Sequence, residues 1–359
     1  MVRVVGIDPG TKTFDFFGLE GDRIILDESI STDDISKKPE LVSSIIKSVN
    51  PDLVVGPSGY GIPVTKIEDI DERDLFLMTL IKKEEKRSIF GMRKSIEQLK
   101  KDGLPVYFIP GVIHLPTVPA YRKINKIDMG TADKLCVTAL AIWEQARKKQ
   151  IAYEETSFIL LEMGSGFKAT IGVQDGEIVD GIGGTVGGIG FLSLGGMDSE
   201  LAYLISGFNK ETLFHGGIKY MLSEDITPEQ LSRLVDRDRK YEDAWKALME
   251  SAIKDALKLT ASVKPKEILL SGRLSKIKRI KEDLTKQLKS IAPVRNLDGF
   301  PNVKKVKEGA QGAALIANGL AGGKYKDLID TMKIKEAKGT VLDYIKLEAI
   351  DELKREYGI

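Results

Sequence analysis

One cysteine, Cys136, stands in the 359 residues, and a single thiol can form neither an intramolecular disulfide nor an iron–sulfur or thiolate metal cluster within the chain. Histidine is nearly as scarce. His114 and His215 are the only two, which leaves little for a zinc centre or a serine-type triad. Charge of one sign is missing as well: 54 lysines and arginines oppose 53 acidic residues, and a net of +1 excludes nucleic-acid binding driven by bulk charge. No window comes near 18 consecutive apolar residues, so no membrane span is expected. The apolar run Val2 to Ile7 is cut short by Asp8. It is too brief for a signal-peptide core and lacks a small-residue cleavage pattern, so the expected location is the cytoplasm. Asparagine and glutamine are few beside lysine and glutamate, a balance that leans toward a heat-adapted source.

What the chain does have is 42% hydrophobic residues, enough for proper cores, and a length suited to two lobes. It also has 35 glycines, twelve of them between Gly164 and Gly196. The first thirty residues read as a three-stranded meander: Val2 to Ile7, Thr13 to Leu19 and Arg23 to Ile30, with turns at Asp8-Pro9-Gly10 and Glu20-Gly21-Asp22. Phe158 to Leu161, Phe167 to Val173 and Glu177 to Ile182 repeat it, with turns at Met163-Gly164-Ser165-Gly166 and Asp175-Gly176.

A gapless offset of 154 positions lays Asp8 on Glu162, Gly10 on Gly164, Thr11 on Ser165, Gly18 on Gly172 and Ile24 on Ile178. Each meander is followed by a helix and a further strand. Leu41 to Val49 precedes Pro51 to Gly59, and Ala252 to Ser262 precedes Pro265 to Gly272. The chain is therefore expected to be a duplication. Leu75 to Lys101 reads as a charged helical stretch, Leu104 to Ile109 as a strand, and Thr131 to Lys149 as the helix crossing into the second lobe. Ser275 to Ile291 and Val306 to Leu320 read as helices, and Tyr325 to Ile359 as a charged helical tail. The domain boundaries that follow are 1–150, 151–324 and a C-terminal extension 325–359.

Two hairpins that each turn on an acidic residue, any residue and glycine suggest two lobes facing one phosphate chain, because glycine lets the backbone approach an anion closely. Asp8 and Glu162 at the strand ends suit Mg²⁺, which takes one or two protein oxygens and leaves the rest to water and phosphate. Asp8 is equally what an ordinary turn before Pro-Gly uses. The glycine run Gly181 to Gly196 reads either as a flexible surface loop or as one that closes over substrate or nucleotide. Asp128 and Asp133 are placed to orient or deprotonate an acceptor hydroxyl, or simply to favour a helix N-terminus. His114, between Ile113 and Leu115, fits a core position, as does Cys136.

Gly6-Ile7-Asp8-Pro9-Gly10-Thr11-Lys12-Thr13 resembles the first phosphate motif, and Leu161 to Gly166 the second, of the superfamily containing acetate and sugar kinases, Hsp70 and actin. Ile268 to Arg273 is similar to its adenosine motif, and Glu308 to Ala314 to its closing helix. The resemblance runs from Val2 to about Leu320. It implies an α/β, duplicated ribonuclease-H-like (actin-like ATPase) two-lobed fold with an interlobe nucleotide cleft, and ATP and Mg²⁺ as cofactors. The layout is most similar to the short-chain acyl kinases, in particular an archaeal family of predicted butyrate kinases. That likeness implies ATP-dependent phosphorylation of a small carboxylate, no nucleic-acid or membrane partner, and a homodimer.

Carried over residue by residue, the resemblance makes Asp8, Glu162, Arg122 and Asp128 the catalytic candidates, with Asp8 and Glu162 toward the metal. Gly10, Thr11, Lys12, Thr13, Gly164, Ser165, Gly166, Gly183, Gly184, Gly272, Arg273 and Glu308 are the nucleotide-binding candidates. Two departures stand out. Acetate kinases have a histidine where Glu162 lies, and an arginine in the following loop where this chain has Gly195-Gly196-Met197-Asp198. Arg122 or Arg93 then has to substitute, or the substrate differs. A nucleotide-switching ATP-binding regulator and a hydroxyl-directed sugar-type kinase are the alternatives. The activator ATPases of radical dehydratases need a cysteine-bound cluster that Cys136 alone does not provide.

Overall fold

The computed structural model describes residues 1–10, 12–56, 59–82, 90–205, 207 and 209–359, with the side chains of all but 90–94. Two compact units emerge: residues 1–127, 131–155 and 298–359 form the first, and residues 128–130 and 156–297 the second.

In the first unit, β1 (Arg3–Pro9), β2 (Thr13–Glu20) and β3 (Arg23–Ser31) make the expected antiparallel meander. Helices α1 (Thr32–Lys37) and α2 (Glu40–Lys47) lead to β4 (Leu53–Val55) and β5 (Gly61–Lys66). Next come α3 (Glu72–Thr79), α4 (Phe90–Lys101), β6 (Val106–Pro110), the single turn α5 (Ala120–Lys123) and the long α6 (Ala132–Lys149). The sheet order is β3-β2-β1-β4-β6-β5.

In the second unit, β7 (Phe158–Met163), β8 (Lys168–Gln174) and β9 (Glu177–Ile182) repeat the meander. After α7 (Ser199–Ile205), α8 (Ile218–Leu222), α9 (Pro228–Leu234) and α10 (Arg239–Leu259) come β10 (Glu267–Ser271), α11 (Lys278–Leu288) and β11 (Val294–Asn296). The order here is β11-β10-β7-β8-β9. β7 and β10 pair in parallel, and every residue of each is buried, which is why both read as unbroken apolar runs rather than alternating ones. The core of this unit forms where Ile159, Leu161, Leu270 and Ile268 meet Leu248, Ala252 and Leu259 of α10.

The duplication extends to register. Asp8 pairs with Asp15 and Glu162 with Ala169; Gly18 pairs with Leu26 and Gly172 with Asp180. Each second member lies 154 positions after the first. The irregularity between Gly18 and Leu19 recurs between Gly172 and Val173, at the same offset. A bulge pins strand register and twist, so repeating it at one position in both meanders is a specific structural identity.

The final segment differs from expectation. Residues 298–359 belong to the first unit, whereas the sequence pattern puts 298–324 in the second lobe and the remainder in an extension. The cause is α12 (Glu308–Leu320), whose small residues lay it directly on β1 and α6. A Cβ on Gly6 would overlap the backbone of Ala310 and Ala314, and one on Gly312 would overlap Cys136. The tail continues as α13 (Lys326–Thr331) and α14 (Ala349–Tyr357), and it buries Leu328, Ile329, Met332 and Val341 in this unit. Among the described residues no helix is long and apolar enough to cross a membrane.

Candidate functional site

In the first unit the site begins at the β1–β2 turn. Asp8 closes β1, and its carboxylate lies against the first turn of α12: a Cβ on Gly309 would sit 2.7 Å from Asp8 Oδ2. A carboxylate is favoured there by the positive end of the helix. Lys307, the residue that caps α12, folds its side chain back over the turn. Its Nζ is 3.3 Å from Asp8 Oδ2 and 3.4 Å from Asp15 Oδ2. Its backbone N–H donates to Asp15 Oδ2 at 3.0 Å, and Ser29 Oγ donates to Asp15 Oδ1 at 2.6 Å.

Burial raises the Asp8 carboxyl above its ordinary range; Lys307 and Lys134 pull it down, and the like charges of Asp133 and Asp15 push it further up. Asp133, at the start of α6, is partly buried; desolvation raises its pKa, but Lys134 and hydrogen bonds, one from Thr131 Oγ1, outweigh that and lower it. For Lys307 the attraction of Asp8 and Asp15 exceeds the cost of burial, so its ammonium stays protonated more firmly than usual. Three carboxylates, Asp8, Asp15 and Asp133, are met here by two lysines, Lys307 and Lys134.

In the second unit Glu162 holds the matching position at the end of β7 and is buried. The hairpin closes as the first one does: Gly10 N donates to Thr13 O and Gly164 N to Phe167 O, both at 2.9 Å. Both glycine amides are thereby engaged within their turns, so neither is aimed at a phosphate as the motifs suggest. Gly272, at φ +82°, follows β10, and a Cβ on it would lie 2.5 Å from Met163 O and 2.7 Å from Glu162 Oε1. Only glycine meets both demands, a left-handed backbone and a carboxylate in contact with it.

The remaining candidates divide. Asp128 is buried, and its carboxylate accepts from Gly130 N (3.1 Å), Thr185 N (3.1 Å) and Thr185 Oγ1 (3.2 Å). It holds a turn in place, and this engagement argues against the expected base. Gly183 and Gly184 are small because Asp128 and Phe167 occupy the space a Cβ would need. The glycine-rich run is packed rather than loose: Gly188 N donates to Asp255 Oδ2 at 2.8 Å, and Asp255 forms a buried ion pair with Lys168. Leu192 N and Ser193 N both donate to Gly166 O at 3.2 Å, which ties that run to the second hairpin.

Arg122 lies on α5 with its guanidinium 5.5 Å from the Tyr121 ring centroid. Arg273, half exposed, is 3.4 Å from Glu229. Glu308 is buried at the start of α12, and Lys12 is exposed on the first turn. Thr13 opens β2 and Ser165 sits in the second turn. Thr11 and the side chain of Arg93 lie outside the described residues. Lys307, Lys134 and Asp15 were not singled out from sequence. The available signal was Lys307 itself, a cation at the cap of a glycine- and alanine-rich helix. His114 is buried, and burial lowers its pKa to about 4, so it is neutral and belongs to the core. Cys136 is buried too, its thiol pushed well up by desolvation.

Among the described residues no three acidic, histidine or cysteine side chains are placed to hold a metal ion by themselves.

A family model described as a protein of unknown function (DUF1464) matches residues 6–347, and the chain belongs to that family. No curated protein matches it in sequence. Solved structures of the same fold include the acetate kinase of Porphyromonas gingivalis, with TM-score 0.62 and 10% identity, covering 88% of this chain and 98% of that one. The acetate kinase of Entamoeba histolytica matches with TM-score 0.59 and 13% identity over 80% and 87% of the two chains. A propionate kinase of Francisella tularensis matches with TM-score 0.59 and 12% identity over 88% and 98%. At such identities the likeness is one of fold: α/β with two mixed sheets, the two-lobed actin-like architecture of the acetate kinases.

Proposed function

We propose that this member of the DUF1464 family is an ATP-dependent phosphotransferase whose acceptor is a small carboxylate, butyrate or a close relative. The observation that carries the reading is the duplicated hairpin, with a carboxylate at the end of the first strand of each: Asp8 and Glu162 match in register, bulge and turn hydrogen bond. Mg²⁺, when bound, would neutralise phosphate charge. Asp8, drawn toward a further cation by Asp133 and Asp15, is the residue of the first unit that would hold it, through water. Glu162 is the corresponding residue of the second unit.

The choice of a carboxylate rests on the candidate bases. A hydroxyl acceptor needs a group to take its proton, whereas a carboxylate is already ionised at neutral pH. Asp128 is engaged by three donors, and Asp133 accepts from Thr131 Oγ1 and, at 2.7 Å, from Lys134 Nζ. Neither is poised as a base. In the transfer, an acceptor carboxylate oxygen bonds to the γ-phosphorus as the bond to the β–γ bridging oxygen breaks, and ADP leaves with that electron pair.

A coupled ADP-release assay with Mg-ATP across short-chain carboxylates, sugars and no acceptor tests this. Turnover that depends on butyrate or propionate supports it. Sugar-dependent turnover assigns a hydroxyl acceptor instead, and acceptor-independent hydrolysis assigns a nucleotide switch.

A further inference from the structure

The first hairpin has an acidic turn and no glycine amide to offer an anion, because Gly10 N donates to both Asp8 O at 3.0 Å and Thr13 O at 2.9 Å. A phosphate chain brought there meets Asp8 and Asp15 unless a cation intervenes. The cation in place is Lys307, whose ammonium stands so close over the turn that a Cβ on Gly10 would lie 2.5 Å from Nζ. An ammonium has three N–H donors. One is given to Asp8 at 3.3 Å, the ammonium also forms an ion pair with Asp15 at 3.4 Å, and the side chain keeps 39% of its surface exposed. One donor therefore remains for an incoming anionic oxygen.

We propose that Lys307 is the phosphate-binding cation of the first hairpin, held by Asp8 and Asp15 so that its third N–H meets an oxygen of a nucleoside triphosphate; this rests on the ATP-dependent reading above. Glycine at position 10 is then the space the ammonium occupies, and glycine at position 309 is the space Asp8 needs to hold it. Asp15, across the ladder from Asp8 and fully buried, acts through Lys307 as a positioning residue.

Calorimetric titration of the full chain with ATP and, separately, with AMP tests the assignment in wild type, Lys307→Gln and Lys307→Arg. Glutamine keeps a donor for Asp8 without the charge, and arginine restores the charge. A charge-assisted hydrogen bond of the usual strength implies a loss of about ten- to a hundredfold in ATP affinity for Lys307→Gln. AMP binding should be unchanged in that variant, and Lys307→Arg should recover most of the ATP affinity. Unchanged ATP affinity in Lys307→Gln overturns the inference and leaves the phosphotransferase reading standing. Equal losses for ATP and AMP also overturn it, assigning Lys307 a purely structural part. Failure of the wild type to bind ATP overturns both.

Discussion

Gly272 shows how tightly single positions are specified. Its left-handed backbone and its contact with Glu162 and Met163 exclude any Cβ, so Gly272→Ala is expected to cost about 1–3 kcal/mol of unfolding free energy in urea denaturation. A variant as stable as wild type would show that the carboxylate yields easily. Asp8 carries the opposite tension: its folded-state pKa is raised above 3.8, so the fold prefers it protonated. Its contribution to stability is fully present below 3.8 and is lost as pH rises through the folded value. Asparagine does not ionise, and the stability difference should shift toward Asp8→Asn as pH rises from 3.8 to 7. Paired denaturation curves read this directly, and a widening wild-type advantage contradicts it. From the sequence, the matching positions of Asp8 and Glu162 were legible because each stands two residues before a glycine in a duplicated turn. Lys307 was not, since what joins it to Asp8 and Asp15 is a contact across roughly three hundred residues of chain, and Asp15, Asp8's cross-strand partner, takes its place in the cluster only through that lysine.

Among elements, the meanders were legible because apolar alternation and turn glycines are local signals. β5 and β11 were not: β5 contains Pro63, and β11 has three residues, too few for a pattern. Leu75 to Lys101 reads as one helical stretch, but α3 ends at Thr79 with Leu80 left-handed, and α4 begins at Phe90. The glycine-rich run was misleading for a different reason. Composition shows that side chains are missing without showing whether the space is open or filled, and here Asp128, Phe167 and Asp255 fill it. The tail is also less detachable than its charge implies. Deleting 325–359 would expose apolar surface against which Leu328, Ile329, Met332 and Val341 are wholly buried, each worth roughly 2 kcal/mol. The truncated chain should therefore lose its cooperative thermal transition in calorimetry. An unchanged transition would mark the tail as a true extension.

For the molecule as a whole, a near-zero net charge is compatible with the proposed local binding of an anion, which does not draw on bulk charge. The duplication explains why two units of different strand number carry the same hairpin, and the likeness to acetate and propionate kinases is one of fold; phosphoryl transfer to a carboxylate is the use proposed for it. Phosphorus NMR of the protein with ATP, Mg²⁺ and butyrate tests that claim most directly. The account predicts an acyl-phosphate resonance growing in step with ADP in the wild type and absent with Asp8→Asn. ATP that stays intact, or that yields ADP and inorganic phosphate at the same rate without butyrate, would contradict it.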